Sequence, residues 1–233
     1  MMSMTLLQSV MQPSAADSLN AALQASKDLP YWDLALKGGL IMVPIFLLSV
    51  IAVYLFVERY VAIQKAMSPD NNFMEKIRDY IHDGKIKAAL DLCAHTDTPV
   101  ARMIEKGLQR IGRPLSDINT AIENVGSIEI AKLEKGTPLL GTVAGGAPML
   151  GFLGTVTGMV RAFYDMAAAG NTVDIQILSA GIYEAMVTTV AGLIVGIIAY
   201  FCFNIIVARI NEVVHKLETT TIEFMDLLNE PVK

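Results

Sequence analysis

Three long apolar stretches dominate the pattern of hydrophobic and polar positions along the chain. The first, 38–57, is uncharged and is about as long as a helix that crosses a bilayer core of ~30 Å. The second, 137–162, is rich in Gly and Ala and is uncharged up to Arg161. The third, 175–208, contains Glu184 as its only charge. We predict three transmembrane helices; a buried helix of a soluble domain is the alternative for the second, less apolar stretch.

The third stretch is longer than a bilayer requires. As a helix with about 1.5 Å rise per residue, 175–208 would extend roughly 50 Å. It should therefore protrude from the membrane and continue into the tail 209–233. Apolar residues keep a helical spacing in that tail: Ile210, Val213, Val214, Leu217, Phe224 and Leu228.

The segment 58–136, between the first two stretches, is predicted to form several helices. Asp83-Gly84 separates the first two, and Thr98-Pro99 is a favourable N-cap and N1 pair for the third. Gly112-Arg113-Pro114 should end that helix. From Ser116 a last helix is expected to run unbroken into the second apolar stretch.

The distribution of Lys and Arg predicts the orientation. Segment 58–136 holds 12 of the 18 basic side chains, and connections rich in Lys and Arg next to the spans remain in the cytoplasm. This loop and the tail 209–233 are therefore predicted to be cytoplasmic, and 1–37 periplasmic. Within 1–37, residues 17–36 form either an interfacial helix or a mobile tail. The predicted fold class is all-α: a polytopic membrane protein with three transmembrane helices and long cytoplasmic helical extensions.

Composition and motifs exclude several classes of function. The residues are 53% hydrophobic and 18% charged, and the net charge of −5 gives no basis for binding nucleic acid. The sequence has no nucleotide-binding fingerprint, and Cys93 and Cys202 lack metal-site spacing. No His, Ser-Lys pair or second acid accompanies Glu184 within the spans. We predict no cofactor, no metal and no enzymatic activity.

Small residues recur along the second and third stretches at helix-packing spacing. Gly154/Gly158 and Gly192/Gly196 are GxxxG pairs, and Gly151 shares the predicted face of Gly158. Small residues allow close approach of helix backbones in lipid. We assign these five glycines to helix packing.

Glu184 is the candidate functional residue. An intramembrane carboxylate is costly unless it is neutral, paired or hydrated. The uncharged run that ends at Arg161, and the other two spans, contain no Lys or Arg to pair with it. It is either an ion-pathway group or a carboxylate that reaches the headgroups. Thr155, on the small-residue face, either lines a polar path or bonds to its own helix carbonyl. Helical spacing places Thr188 on the face of Glu184.

Two sequence segments resemble the paired signature of the ExbB, TolQ and MotA proteins: APMLGFLGTVTGMVRAF (147–163) and GIYEAMVTTVAGLIVGI (181–197). Three spans and a loop of this length fit ExbB and TolQ, whereas MotA-type stators have four spans. The resemblance implies that Thr155, Glu184 and Thr189 line an ion pathway.

The resemblance selects Thr189 where spacing selects Thr188, and we take Thr189 for the predicted site. Thr157 and Arg161 depart from the common ExbB pattern and leave the subtype open. Whether the ion is H⁺ or Na⁺ also stays open, because a partner's carboxylate is part of the path in this family.

The resemblance also implies an assembly. In such a complex, a homo-pentamer in the bacterial inner membrane, surrounded by lipid, encloses a dimer of an ExbD/TolR-like single-span partner. The proton motive force drives this motor, and ExbB passes the work to a TonB-like protein for TonB-dependent outer-membrane transport. A TolQ-type subunit of the Tol-Pal envelope system is the alternative.

Overall fold

The computed structural model describes residues 39–67, 72–168 and 175–230. The predicted interfacial helix at 17–36 lies outside these residues. The described part folds into seven α-helices, without a strand: α1 Met42–Met67, α2 Phe73–His82, α3 Ile86–His95, α4 Pro99–Leu108, α5 Leu115–Glu134, α6 Thr137–Ala168 and α7 Ile175–Asn229. The all-α prediction is confirmed.

Three helical segments are long and apolar enough to cross a membrane: Met42–Met67, Leu115–Ala168 and Leu178–Asn229. Each overlaps one of the three predicted apolar stretches, and the second contains 137–162 entirely. The prediction of three transmembrane helices with long helical extensions is confirmed. The extensions are the polar part of α5 and the half of α7 that follows its apolar stretch.

The short helices begin and end largely where local sequence signals place them. Thr98 caps α4, since its hydroxyl accepts a hydrogen bond of 3.3 Å from the backbone N–H of Ala101, and Pro99 occupies the first turn. Gly84, between α2 and α3, has φ +70°, a left-handed conformation that favours glycine. The predicted helix boundaries at Asp83-Gly84 and Thr98-Pro99 are confirmed.

The expected unbroken helix from Ser116 into the second apolar stretch is wrong. Helix α5 ends at Glu134, and Gly136 takes φ +84° before α6 begins. The chain then continues into Pro138, which lacks a backbone N–H and is favoured in the first turn of a new helix. The Arg59 guanidinium donates a 3.1 Å hydrogen bond to the Lys132 carbonyl, in the last turn of α5.

The chain divides into two compact units. The first contains residues up to Val43 and Leu150–Ala191; the second contains Pro44–Met149 and Gly192–Lys233. In the second unit, α3 packs on α4 and α4 packs on α5. Gly107 of α4 brings the helix backbones close to α7, because a Cβ built on it would lie 2.7 Å from the Phe224 ring.

Helix α1 has an extended apolar face that no described residue covers. Its exposed side chains include Val43, Phe46, Leu47, Val50, Val53, Tyr54 and Val57. A soluble monomer rarely exposes so continuous an apolar face. This face is suited to contact with lipid or with another membrane helix.

Candidate ion-pathway site

Two hydroxyl groups meet between α6 and α7 in the first unit. The Oγ1 atoms of Thr155 and Thr189 are in hydrogen-bonding contact. Both also lie within hydrogen-bond distance of the Gly151 carbonyl oxygen, at 3.3 Å for Thr155 and 3.0 Å for Thr189. Each hydroxyl has one hydrogen and two lone pairs. The two hydroxyl hydrogens are therefore shared among three oxygens: the two Oγ1 atoms and the Gly151 carbonyl oxygen. Lone pairs remain in this cluster that can accept a hydrogen bond from a further donor.

Thr188 has a different environment. It is 2% exposed, and its hydroxyl donates a 2.7 Å hydrogen bond to the Ala185 carbonyl of its own helix. It packs against Gly154, where a Cβ would overlap the Thr188 side chain. The structure therefore brings Thr189, and not Thr188, into contact with Thr155.

The Glu184 carboxylate lies in a separate cavity of about 250 Å³ in the first unit. This cavity is lined by Leu40, Ile41, Gly154, Thr157, Gly158, Arg161, Glu184 and Thr188. Thr188 thus shares the surroundings of Glu184, as helical spacing predicts. Within the described residues, Glu184 forms no hydrogen bond with Thr155 or Thr189, so the three predicted pathway residues form two polar clusters.

The backbone before α1 contacts the Glu184 carboxylate. Gly39 has φ +65°, and a Cβ built on it would overlap the Oε1 atom of Glu184. Two features therefore favour glycine at position 39: the backbone is left-handed, and the Glu184 carboxylate leaves no space for a side chain. Sequence reasoning missed this contact, because nothing local links Gly39 to Glu184.

Arg161 is a second residue that sequence reasoning missed at this site. It ends the uncharged run of the second stretch, 137–162, and it lines the same cavity as Glu184. Its Nε atom lies 4.0 Å from the Asp165 carboxylate, one helical turn away. The cavity therefore holds charged side chains of both signs, although the sequence analysis found no cation to accompany Glu184.

Three of the five predicted packing glycines, Gly154, Gly158 and Gly196, lie where α6 and α7 approach each other closely. A Cβ on Gly158 would lie 2.9 Å from the Ala185 Cβ, and one on Gly154 would overlap Thr188. In the second unit, a Cβ on Gly196 would overlap Pro148. The remaining two, Gly151 and Gly192, are buried.

A comparison with models of known protein families identifies the family of this chain. Residues 95–219 match the model described as the MotA/TolQ/ExbB proton channel family. The chain belongs to this proton channel family. The matched range contains all of α4 and α5, the whole of α6, and α7 as far as residue 219, so it includes Thr155, Glu184 and Thr189.

Relatives carry both the ExbB and the TolQ name. The biopolymer transport protein ExbB-like 1 of Synechocystis sp. is 30% identical over 176 residues, which are 74% of this chain and 69% of that protein. The Tol-Pal system protein TolQ of Pseudomonas aeruginosa is 26% identical over 204 residues, 83% of this chain and 88% of its own. The biopolymer transport protein ExbB of Xanthomonas campestris is 34% identical over 102 residues, 44% of this chain and 40% of its own.

This member of the proton channel family also has a buried carboxylate in its second unit. Glu129 of α5 is 4% exposed and accepts hydrogen bonds of 2.7 Å from both Arg102 and Lys132. Arg102 also bonds to Asp97 at 2.7 Å, and Asp97 bonds to Lys65 of α1 at 2.8 Å. The hydrogen bond from Lys65 lowers the pKa of Asp97, and the bond to Glu129 raises the pKa of Arg102. The chain of ion pairs joins α1, α4 and α5.

Proposed function

We propose that this protein is the pore-forming subunit of an inner-membrane motor of the ExbB–ExbD type. In this proposal the proton motive force drives the motor, which energises TonB-dependent outer-membrane transport. The observation that carries the proposal is the meeting of Thr155 and Thr189 on two long apolar helices, with Glu184 in a cavity of the same unit. Membership of a proton channel family supports it.

In this proposal Glu184, Thr155 and Thr189 form the protein's part of the ion pathway. A carboxyl group can bind and release a proton, and a hydroxyl group can accept one hydrogen bond while donating another. Carboxylates within membrane spans are costly, and they mark ion pathways and proton relays. No step requires a cofactor or a covalent intermediate, so none of these residues is assigned a catalytic role.

The spans 38–57, 137–162 and 175–208 are proposed to cross the inner membrane. The basic loop 58–136 and the tail 209–233 are placed in the cytoplasm, because 12 of the 18 Lys and Arg side chains lie in that loop. The N-terminal segment is then periplasmic.

We further propose a homo-pentamer that encloses a dimer of an ExbD/TolR-like single-span partner. Closed rings are a usual way for identical chains to satisfy one repeated interface. The uncovered apolar face of α1 and the exposed side chains of α6 and α7, such as Phe152 and Ile194, leave surface for neighbouring chains and lipid. The partner would supply the remaining part of the ion path, and a TonB-like protein would receive the work.

A TolQ-type subunit of a Tol-Pal system is the second candidate. The TolQ of Pseudomonas aeruginosa supports it, because that relative aligns with 83% of this chain. The two candidates share the pathway residues and differ in the partner and in the process that they energise.

Co-purification tests the proposed function. The chain is expressed with a tagged single-span partner of the ExbD type, in parallel with one of the TolR type, and native mass spectrometry gives the stoichiometry. We expect five copies of this chain with two copies of one partner, and the preferred partner identifies the subtype. An intact chain that binds neither partner would contradict the proposal.

A further inference from the structure

A second cavity lies in the second unit, where α5 ends and α6 begins beside α7. Its volume is about 360 Å³, within the ~300–1,000 Å³ range of small-molecule sites. Four apolar residues and three polar residues line it: Pro138, Phe203, Val207 and Ile210, with Glu134, Thr137 and Asn211. None of the residues of the ion-pathway site borders it.

The three polar side chains of this cavity have no hydrogen-bonding partner among the residues that the structure describes. Thr137 is 6% exposed, and its hydroxyl makes no hydrogen bond within the part of the chain that the structure describes. The side chains of Glu134 and Asn211 likewise make no hydrogen bond or ion pair with another described residue. Leaving a buried hydroxyl unsatisfied is unfavourable, so a ligand that bonds to Thr137 would relieve that cost.

The chemistry of these groups defines the ligand. An ionised carboxylate only accepts hydrogen bonds, while the Thr137 hydroxyl and the Asn211 amide oxygen can accept as well. A primary ammonium group offers three N–H donors and the positive charge that Glu134 requires. The walls formed by Phe203 and Val207 suit a hydrocarbon. The matching ligand is therefore an amphiphile with a primary ammonium group.

The position of the cavity identifies the source of this amphiphile. Thr137 begins the proposed span 137–162, and Val207 lies at the end of 175–208. The ends of two apolar stretches that are distant in sequence thus meet at one cavity. If 137–162 and 175–208 cross the membrane as proposed above, this cavity lies at the depth of the lipid headgroups. We propose that this cavity binds a phospholipid with a primary ammonium headgroup, which lies against Glu134, Thr137 and Asn211. This site is independent of ion conduction.

Two other headgroups fit these residues poorly. A trimethylammonium headgroup carries the same charge but has no N–H donor for Thr137 or Asn211. An anionic glycerol headgroup would bring its negative phosphodiester to the Glu134 carboxylate without the ammonium group that offsets this charge in a zwitterionic headgroup. The proposal therefore predicts selectivity between headgroups that share the same acyl chains.

Native mass spectrometry of the wild-type chain in mild detergent tests this selectivity without any mutation. Equimolar phosphatidylethanolamine, its mono- and dimethylated derivatives, phosphatidylcholine and phosphatidylglycerol are added, all with identical acyl chains. We expect lipid retention to fall in the order of N–H donors, from phosphatidylethanolamine to phosphatidylcholine. Equal retention of phosphatidylcholine, preferred retention of phosphatidylglycerol, or retention of no lipid at all would overturn the proposal.

Matched variants locate the binding. Glu134→Gln should reduce phosphatidylethanolamine retention by roughly tenfold, as expected for the loss of a hydrogen bond to a charged group. Thr137→Val keeps the shape of the side chain and should reduce retention less. Glu123→Gln, an exposed acid of the same helix that bonds to Asn119, should leave retention unchanged. Unaltered retention in Glu134→Gln, or an equal loss in Glu123→Gln, would show that the lipid binds elsewhere.

Discussion

Thr189 of α7 donates a hydrogen bond of 3.0 Å to the Gly151 carbonyl of α6. Gly151 has no side chain beyond hydrogen, so its carbonyl can be approached closely by the facing helix. The Thr155 hydroxyl lies within hydrogen-bond distance of the same carbonyl and of the Thr189 oxygen, and its one hydrogen can be donated to either. The contact therefore joins the two helices through polar groups at a point where most of the surrounding residues are apolar or small.

Removing the Thr189 hydroxyl should weaken this contact more than removing the Thr155 hydroxyl. Thr189→Val deletes the bond that crosses from α7 to α6, so it should lower the free energy of unfolding by about 0.5–1.5 kcal/mol. Thr155→Val should lower the free energy of unfolding less, since Thr189 can still donate its hydrogen bond to the Gly151 carbonyl. Both should slow ion flux. Thermal unfolding in detergent gives the stability, and flux into proteoliposomes gives the conduction.

Thr142→Val is the control for these two variants. Its hydroxyl donates only to the Pro138 carbonyl of its own helix, at 3.0 Å, and is exposed. It should alter neither stability nor flux. Equal effects of all three substitutions would show that the Thr155–Thr189 contact has no special role.

Gly39→Ala should disturb the Glu184 carboxylate. The substitution strains a backbone at φ +65° and forces the carboxylate away from its present position. Gly84→Ala is the matched control, since Gly84 has φ +70° and no atom within 4 Å of the added Cβ. Both should lose about 1 kcal/mol of stability from the backbone alone. Gly39→Ala alone should reduce ion flux, and equal flux in the two variants would contradict the assigned contact.

Glu129→Gln should destabilise the second unit. The change removes a buried negative charge that two cations contact at 2.7 Å. Arg102 and Lys132 are partly exposed and can be hydrated after the change, so we expect a loss of about 1–3 kcal/mol, below the value for a fully buried pair. Denaturant unfolding measures it, with the exposed Glu123→Gln as the control. A loss as small as that of the control would mean that the ion pairs contribute little.

Cys93 should resist thiol reagents in the folded protein. It is 2% exposed, and burial raises the pKa of its thiol to about 12. At pH 8 almost none of the Cys93 side chain is the reactive thiolate, and its burial keeps the reagent away from the sulfur. Mass spectrometry after treatment with a maleimide should find Cys93 unmodified in the native protein and modified after unfolding. Rapid native labelling would contradict the packing of α3 against its neighbours.

The helices were predictable where local signals decide them. Three apolar stretches, the Thr98-Pro99 cap and the break at Asp83-Gly84 depend on residues close in sequence, and the structure has all of them. The break at Gly136 also had a local signal, since a glycine two residues before Pro138 favours a helix end followed by a new start. The sequence analysis nevertheless predicted one unbroken helix, because the apolar pattern that follows Gly136 is itself continuous.

The site was predictable only in part. The period of the helix correctly placed Thr188 on the face of Glu184, and the family signature supplied Thr189, which the structure brings to Thr155. The contact between Gly39 and Glu184 and the position of Arg161 depend on how distant helices pack. A single sequence contains no local signal for such contacts.

Ion flux through Glu184→Gln is the most direct test of the central claim. The variant keeps the size and most of the hydrogen bonding of the side chain but cannot ionise. The chain and its co-purified partner are reconstituted into proteoliposomes, and a pH-sensitive dye inside reports the flux driven by an imposed proton gradient. We expect wild-type and Glu123→Gln complexes to conduct, and a Glu184→Gln complex of unchanged stoichiometry to lose nearly all flux. An intact Glu184→Gln complex that conducts at the wild-type rate would contradict the assignment of Glu184 to the ion pathway.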